Sequence, residues 1–273
     1  MRLDTANTSR PPAVAGLFYP DDASELRDMV SGYLRQHSSA PASGTPPKAL
    51  IVPHAGYIYS GGIAAAAYAS VASLRNAIRR VVLIGPSHRV YLRGMAVPAA
   101  SSFATPLGKV AIDQTLKASL LDRGAVLESD TPHAQEHSLE VQLPFLQLLF
   151  DDFTLLPLVL GSVAPEHVAA ALAHVWGDAA TLVLVSSDLS HYHTYAQAQQ
   201  IDAATSASIL RRDTTLAGEQ ACGAVGINGL LHLAGQRQLS VSEIARCNSG
   251  DTAGDRSRVV GYGAFAVHEP GHA

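Results

Sequence analysis

Residues 182–193 read Leu182-Val-Leu-Val-Ser-Ser-Asp188-Leu-Ser-His191-Tyr-His193. The opening run is too short for a helix and apolar on both faces, the mark of a strand buried in a sheet that is covered on both sides. The same grammar recurs at Ala49-Leu-Ile-Val52, Val81-Val-Leu-Ile84 and Phe153-Thr-Leu-Leu156. Pro, Gly or Ser follows each run, and an Ala/Leu-rich stretch comes after it. Helices are expected over 61–71, 114–122, 138–150, 165–175, 196–210 and 223–234, with further strands at 108–112, 241–247 and 259–267. Alternating strands and helices predict an α/β fold, a three-layer sandwich around a mostly parallel or mixed sheet. Ahead of these, residues 21–34 place apolar Leu26, Met29, Val30, Tyr33 and Leu34 on one face behind an acidic first turn, an amphipathic helix. The Ser/Pro/Gly-rich segment 36–47 reads as a flexible surface loop. No repeat or compositional break divides the chain, so residues 1–273 are expected to form a single domain.

Composition narrows the function. The chain has 273 residues, 47% of them hydrophobic and 15% charged, which excludes a mostly disordered protein. A formal net charge of -4 argues against a nucleic-acid-binding surface. The two cysteines, Cys222 and Cys247, cannot build a disulfide scaffold or a four-cysteine zinc site. No apolar stretch approaches membrane-spanning length, and the first residues lack the apolar core of a secretion signal; the expectation is a cytoplasmic protein with no membrane association. Against a single tryptophan stand twelve histidines. Histidine is the commonest metal ligand and the usual proton carrier near neutral pH, so these residues ask for a role.

Three of them sit just beyond the carboxyl ends of expected strands. His54 follows residues 50–53, His88 follows 82–87, and His191 follows 183–190. Ligand sites of open α/β sheets lie in the crevice past those ends, so three strands aim an imidazole at one edge. Two imidazoles and an anionic ligand would leave coordination positions free for water, substrate or oxygen. The anionic candidates are Asp188, Glu136 and Cys222. Cys222 stands at the expected start of a helix, where the helix dipole favours thiolate; as a small apolar side chain it reads equally well as core. Cys247, inside a strand-like run, reads as core. Asp188 either orients His191 or caps the next helix. His193, two residues on, reads as surface.

His133, Glu136 and His137 form H-x-x-E-H, the zinc-protease pattern in which both histidines share one helix face. With only three fixed positions the pattern is weak, and Glu136 and His137 serve better as polar lining or acid/base groups beside a metal. Gly61 and Gly62 could form a tight turn with free backbone N–H groups, a modest anion site. The segment around Ser249 reads as a surface loop.

Taken in order, Arg10-Pro-Pro-Ala-Val-Ala-Gly-Leu-Phe-Tyr-Pro20, Pro53-His-Ala-Gly-Tyr57, Gly85-Pro-Ser-His88, Phe103-Ala-Thr-Pro-Leu-Gly108, Glu136-His-Ser-Leu-Glu140, Ser186-Ser-Asp-Leu-Ser-His191, Ala221-Cys-Gly223, Ser249-Gly-Asp251 and Val259-Val-Gly-Tyr262 resemble the MEMO family, whose prokaryotic members are called AmmeMemoRadiSam system protein B. The resemblance implies a fold like that of the class III extradiol dioxygenases, the LigB-like non-haem iron enzymes. It implies His54, His88 and Cys222 as metal ligands, with the cysteine where the dioxygenases carry glutamate. It also implies His191 as the acid/base group, with Asp188 and His137 beside it. Fe(II) is the first expectation for the cofactor, with Cu or Zn as alternatives, since a soft thiolate moves metal preference away from hard oxygen sites. AMMECR-like and radical SAM proteins are the partners it implies.

The expected function is an iron- or copper-binding protein with a redox role, as a metal-dependent oxidoreductase of dioxygenase type. The rival is a non-catalytic module that sequesters metal or binds a small molecule or peptide in the same cleft. A zinc-dependent hydrolase stands third.

Overall fold

The computed structural model describes residues 8–37 and 45–270. Its strands are β1 (Ser9–Arg10), β2 (Ala49–Val52), β3 (Arg80–Pro86), β4 (Met95–Val97), β5 (Ser102–Thr105), β6 (Gly108–Ala111), β7 (Leu127–Glu128), β8 (Thr154–Leu160), β9 (Thr181–Ser186), β10 (His191–His193), β11 (Ser240–Asn248) and β12 (Val259–His268). Its helices are α1 (Ala23–His37), α2 (Tyr57–Ala69), α3 (Gln114–Asp122), α4 (Thr131–Ala134), α5 (Leu143–Leu149), α6 (Pro165–Val175), α7 (Tyr195–Leu210) and α8 (Ala224–Gln236), with 3-10 turns between some of them.

The four strands read first form the parallel centre of a mixed sheet, in the order β2-β9-β3-β8. Beyond β8 lie β4, antiparallel to it, and β7. On the other side β12 runs antiparallel to β2, with β11 along its far edge. Strand β10 pairs antiparallel with the start of β12. A separate three-stranded sheet, β1-β5-β6, packs the chain's first described residues beside the main one.

Strand alternation explains the three layers. Leu50, Val52, Val81, Leu83, Leu155, Leu182 and Leu184 point to one face and meet Leu26 and Val30 of α1, Ala64 and Tyr68 of α2, and Phe145 of α5. Ala49, Ile51, Val82, Ile84, Leu156, Leu158, Val183 and Val185 point to the other and meet Val168 and Leu172 of α6 and Ile227, Leu230 and Leu231 of α8. The crossovers obey the same geometry. From β2 the chain passes over β9 to β3 through α2, and from β8 it passes back over β3 to β9 through α6. Right-handed connections in opposite directions must use opposite faces, and α2 and α6 do lie in opposite cores.

Local chemistry sets the helix ends. The Asp113 side chain accepts from Leu116 N–H at the start of α3, Pro165 occupies the first turn of α6, and Thr194 forms a capping box with Gln197 at α7. Two expectations change here. The helix expected over 138–150 divides into a 3-10 turn at Glu140–Gln142 and the shorter α5. Pro144 lacks an N–H for a continuous helix, and residues 136–140 are bonded instead to Arg10, His88, Pro86 and Ser186. The helix after His54 begins at Tyr57 rather than 61, so Gly61 and Gly62 lie inside it and form no anion-binding turn. Gly61 instead gives the Tyr33 ring room: a Cβ there would stand 2.7 Å from it. The loop expected over 36–47 lies mostly, at 38–44, outside the described residues, and α1 continues through His37.

One buried ion pair fastens the N-terminal segment to this frame. Arg10 Nη1 donates to Glu140 Oε2 at 2.6 Å, Nε to His133 O at 2.7 Å, and Nη2 to Glu136 O at 2.6 Å. Glu140 also accepts from the N–H groups of Ala13 and Val14 and from Tyr19 Oη. Both side chains are buried, and the guanidinium lies over the Phe103 ring. Breaking a buried pair by removing one charge strands the other, at about 3–5 kcal/mol. Glu140→Gln is therefore expected to lose about that much unfolding free energy in urea and to speed hydrogen exchange at Ala13 and Val14; a loss below about 1 kcal/mol would contradict this account.

Candidate functional site

Because β2, β9 and β3 are adjacent and parallel, the segments leaving their carboxyl ends emerge side by side. His54, Asp188 and His88 follow these three strands in that spatial order. Cys222 arrives from the opposite core, one residue before Gly223 and the start of α8. A Cβ on Gly223 would stand 2.6 Å from Ser187 Cβ, so glycine is what lets this turn approach the end of β9. Gly223 N–H donates to Ser187 Oγ, and Asp188 N–H to Cys222 Sγ at 3.3 Å.

His54, His88 and Cys222 each bring one donor atom within 4.8 Å of the other two. Cys222 Sγ lies 3.2 Å from His54 Nε2. His88 Nδ1 and backbone N–H are both held by the Glu136 carboxylate, at 2.9 and 2.6 Å, which leaves His88 Nε2 free. Donors about 2.0–2.3 Å from a tetrahedral ion stand about 3.3–3.8 Å apart, and two imidazoles with a thiol suit a borderline or soft metal. The Cys222–His54 separation is close to that spacing and a His88 nitrogen lies within 4.8 Å of both, which makes the three a candidate single-metal cluster. His137 is beside it: its ring stacks on His88 at 4.7 Å, meets His54 edge-on at 5.3 Å and leans on Phe18 at 4.7 Å. His88, Glu136 and His137 form a second group with donor atoms this close, but Glu136 is already spent on His88 and Ser138 N–H.

His54, His88, His137 and Cys222 line a pocket of about 630 Å³. His191 faces it too, with Nδ1 held 2.8 Å from Leu189 O. Asp188 neither orients His191 nor caps a helix. Its carboxyl accepts from His54 N–H at 2.7 Å and so ties the end of β9 to that of β2. His193, read as surface, also reaches the pocket. His191 and His193 are two residues apart on β10 and so share one side of it, and Tyr192 between them, at φ 64°, lines the same pocket. The remaining walls, Phe18, Arg89, Tyr192, Gly218 and Glu219, carried no sequence signal as site residues, although Phe18 lies in a quoted motif.

The H-x-x-E-H pattern does not form a two-histidine helix face. Helix α4 ends at Ala134. His133 is buried away from the pocket, its Nε2 3.0 Å from Ala96 O and its ring edge-on to Phe103, while His137 turns to His88. The segment around Ser249 is mostly exposed from Asp251 onward, as expected of a surface loop, but Ser249 itself is buried, its Oγ accepting from Val260 N–H.

Burial dominates the electrostatics. It holds His54 well below the ordinary imidazole range, helped by neighbouring His137 and His88, and brings His137 to about 4 despite Glu136. Burial pushes Asp188 up to about 7 against the pull of His54 N–H. It lifts the Cys222 thiol to about 12, with the Asp188 charge adding, so the lowering expected from the helix start does not prevail. Burial would also raise Glu136, but hydrogen bonds from the His88 ring, His88 N–H and Ser138 N–H outweigh it and bring it to about 2.

An α/β protein with an imidazole- and thiol-lined pocket at the carboxyl edge of its parallel strands is the class that fold and site define. The chain belongs to the Memo-like family, whose family model, "Memo-like protein", matches residues 10–266. MEMO1 family proteins are 36% identical in Ignicoccus hospitalis, 35% in Aquifex aeolicus and 34% in Thermoplasma volcanium. The matches cover 96, 93 and 94% of this chain and 99, 97 and 98% of those proteins. An uncharacterized protein, JW3007, from Escherichia coli K12 superposes with a TM-score of 0.49 at 13% identity, over 80% of this chain and 98% of that one, too distant to add to the argument. No helix among the described residues is long and apolar enough to cross a membrane.

A pH dependence of stability follows from His133, which burial brings to about 4 from an ordinary 6.5. Between those values the unfolded chain binds a proton that the folded one does not, so stability falls as pH drops from 6.5 towards 4. At pH 5 this one residue costs about 2 kcal/mol. His133→Gln is expected to narrow the difference in urea unfolding free energy between pH 7 and pH 5 by about that amount; an unchanged difference would show that His133 is not the source.

Proposed function

We propose that this protein binds one metal ion through His54, His88 and Cys222, with Fe(II) first and Cu or Zn as alternatives, in a dioxygenase-like site with a redox role. The observation that carries the reading is the convergence of two imidazoles and a thiol, from three distant parts of the chain, on donor atoms within 4.8 Å of one another. A bound metal of this kind supplies Lewis-acid polarisation and, for iron or copper, redox capacity. The neighbouring residues are suited to proton handling. His191, with Nδ1 committed to Leu189 O, presents Nε2 to the pocket as the acid/base group. Asp188, raised to about 7, can hold or release a proton near neutrality. His137, neutral above about 4, lines the same wall and can accept one. AMMECR-like and radical SAM proteins stay with this reading as partners on the family resemblance alone.

Anaerobic purification followed by elemental analysis tests the reading. Near-stoichiometric iron or copper is expected in the wild type, with a loss of at least tenfold in Cys222→Ser and full retention in His191→Ala. Equal metal in wild type and Cys222→Ser would remove the thiol as a ligand. No metal in either protein after reconstitution would favour the rival, a small-molecule or peptide-binding cleft.

A further inference from the structure

Behind His54 lies a hydrogen-bonded chain that leads away from the pocket into the core. His54 Nδ1 is 2.9 Å from Ser186 Oγ, which is 2.9 Å from Gln142 Nε2. Gln142 Oε1 accepts from Tyr68 Oη at 2.8 Å, and Tyr68 stacks on Phe145. Tyr68, Gln142, Ser186 and His54 are all buried, so each polar atom must find its partner inside the protein.

The protons of this chain can be assigned from its ends. Gln142 Nε2 is 2.9 Å from Pro53 O, a carbonyl that can only accept, so this end of the amide is the NH2 group. Its second hydrogen goes to Ser186 Oγ. Ser186 has one hydroxyl hydrogen, which it donates to Ser138 O at 2.5 Å, another carbonyl that can only accept. Ser186 Oγ therefore has nothing left to donate and can only accept from His54. His54 must carry its hydrogen on Nδ1, which leaves the Nε2 lone pair bare and pointing at Cys222 Sγ.

From this we infer that Ser186, held by Gln142 and Tyr68, is the positioning residue that fixes the His54 tautomer and turns its Nε2 lone pair into the pocket as a ready-made donor. The inference rests on the proposed metal site for its purpose but not for its geometry. Glu136 does the same for His88 with an ionised carboxylate; the His54 arm uses neutral groups. Partners of this kind set ligand orientation, and their loss typically weakens metal affinity by about 10–100-fold.

The test reads the tautomer directly. Metal-free protein labelled with 15N-histidine, with the His54 signals assigned by their loss in His54→Asn, is examined by two-bond 1H–15N correlation at pH 7. A protonated Nδ1 and bare Nε2 are expected for His54; the reverse pattern would overturn the inference whatever the metal result. Ser186→Ala is expected to move His54 towards the Nε2–H form and to weaken Zn2+ binding by at least about tenfold, and Gln142→Met, which unseats Ser186 less directly, to shift both in the same direction by less. An unchanged tautomer in a folded Ser186→Ala protein would refute the role. If the wild type has the expected tautomer but takes up no Zn2+ or Fe(II), the proposed metal function fails and the assignment of Ser186 stands. Should Ser186→Ala fail to fold, the wild-type spectrum alone decides.

Discussion

The pair between Arg10 and Glu140 is the interaction on which the pocket most depends. The guanidinium binds not only the carboxylate but the carbonyls of His133 and Glu136, and the carboxylate binds the backbone of Ala13 and Val14 and the Tyr19 hydroxyl. Residues 10–19 and 133–140 are thereby held as one unit. The first carries Phe18 and the second carries Glu136 and His137, so one wall of the pocket and the support of His88 are set by an interaction outside the pocket. Two charges buried together are not a strong source of net stability, but the Glu140 carboxylate accepts four hydrogen bonds and all three guanidinium nitrogens donate, so the arrangement has few alternatives.

From Glu140 the constraint passes inward through Ser138. Its N–H binds Glu136, its Oγ binds Pro86 O and its carbonyl receives Ser186 Oγ. A single residue thus joins the ends of β3 and β9 to the segment that Arg10 positions. Gly85 leaves space for this: a Cβ there would be 2.8 Å from Leu139 and 3.0 Å from Ser138 Oγ.

Much of this fold was legible in the sequence because the central strands are apolar on both faces and the longer helices have the capping or turn residues that mark their ends. Helices α3 and α6 match their expected spans, and β11 and β12 differ by a residue or so. Short strands towards the ends of the sheet were not legible: β4, β7 and β10 have three residues or fewer, and pairing to a neighbour, not local pattern, makes them strands. The pocket was half legible. His54, His88 and His191 announce themselves by their position after buried runs, and Cys222 was named by motif. What sequence could not give was direction. His193, read as surface, shares the pocket side of β10 with His191, and Tyr192 between them adopts a left-handed conformation that no local pattern requires. The strength of burial was equally hidden: beside a helix start Cys222 reads equally well as thiolate or as core, and only its surroundings show that burial raises the thiol.

The distribution of the pocket residues along the chain has a consequence for biogenesis. Phe18, His54, His88, His137, Asp188 and Cys222 span most of its length, and the sheet that aligns them interleaves early and late strands, with β9 inserted between β2 and β3. Until residues 181–186 have been synthesised and threaded between strands made about a hundred residues earlier, His54 and His88 have no fixed relation to each other. Contacts of such sequence separation form late and slowly. No partly made chain can therefore display this pocket, and whatever occupies it must be taken up by the finished fold.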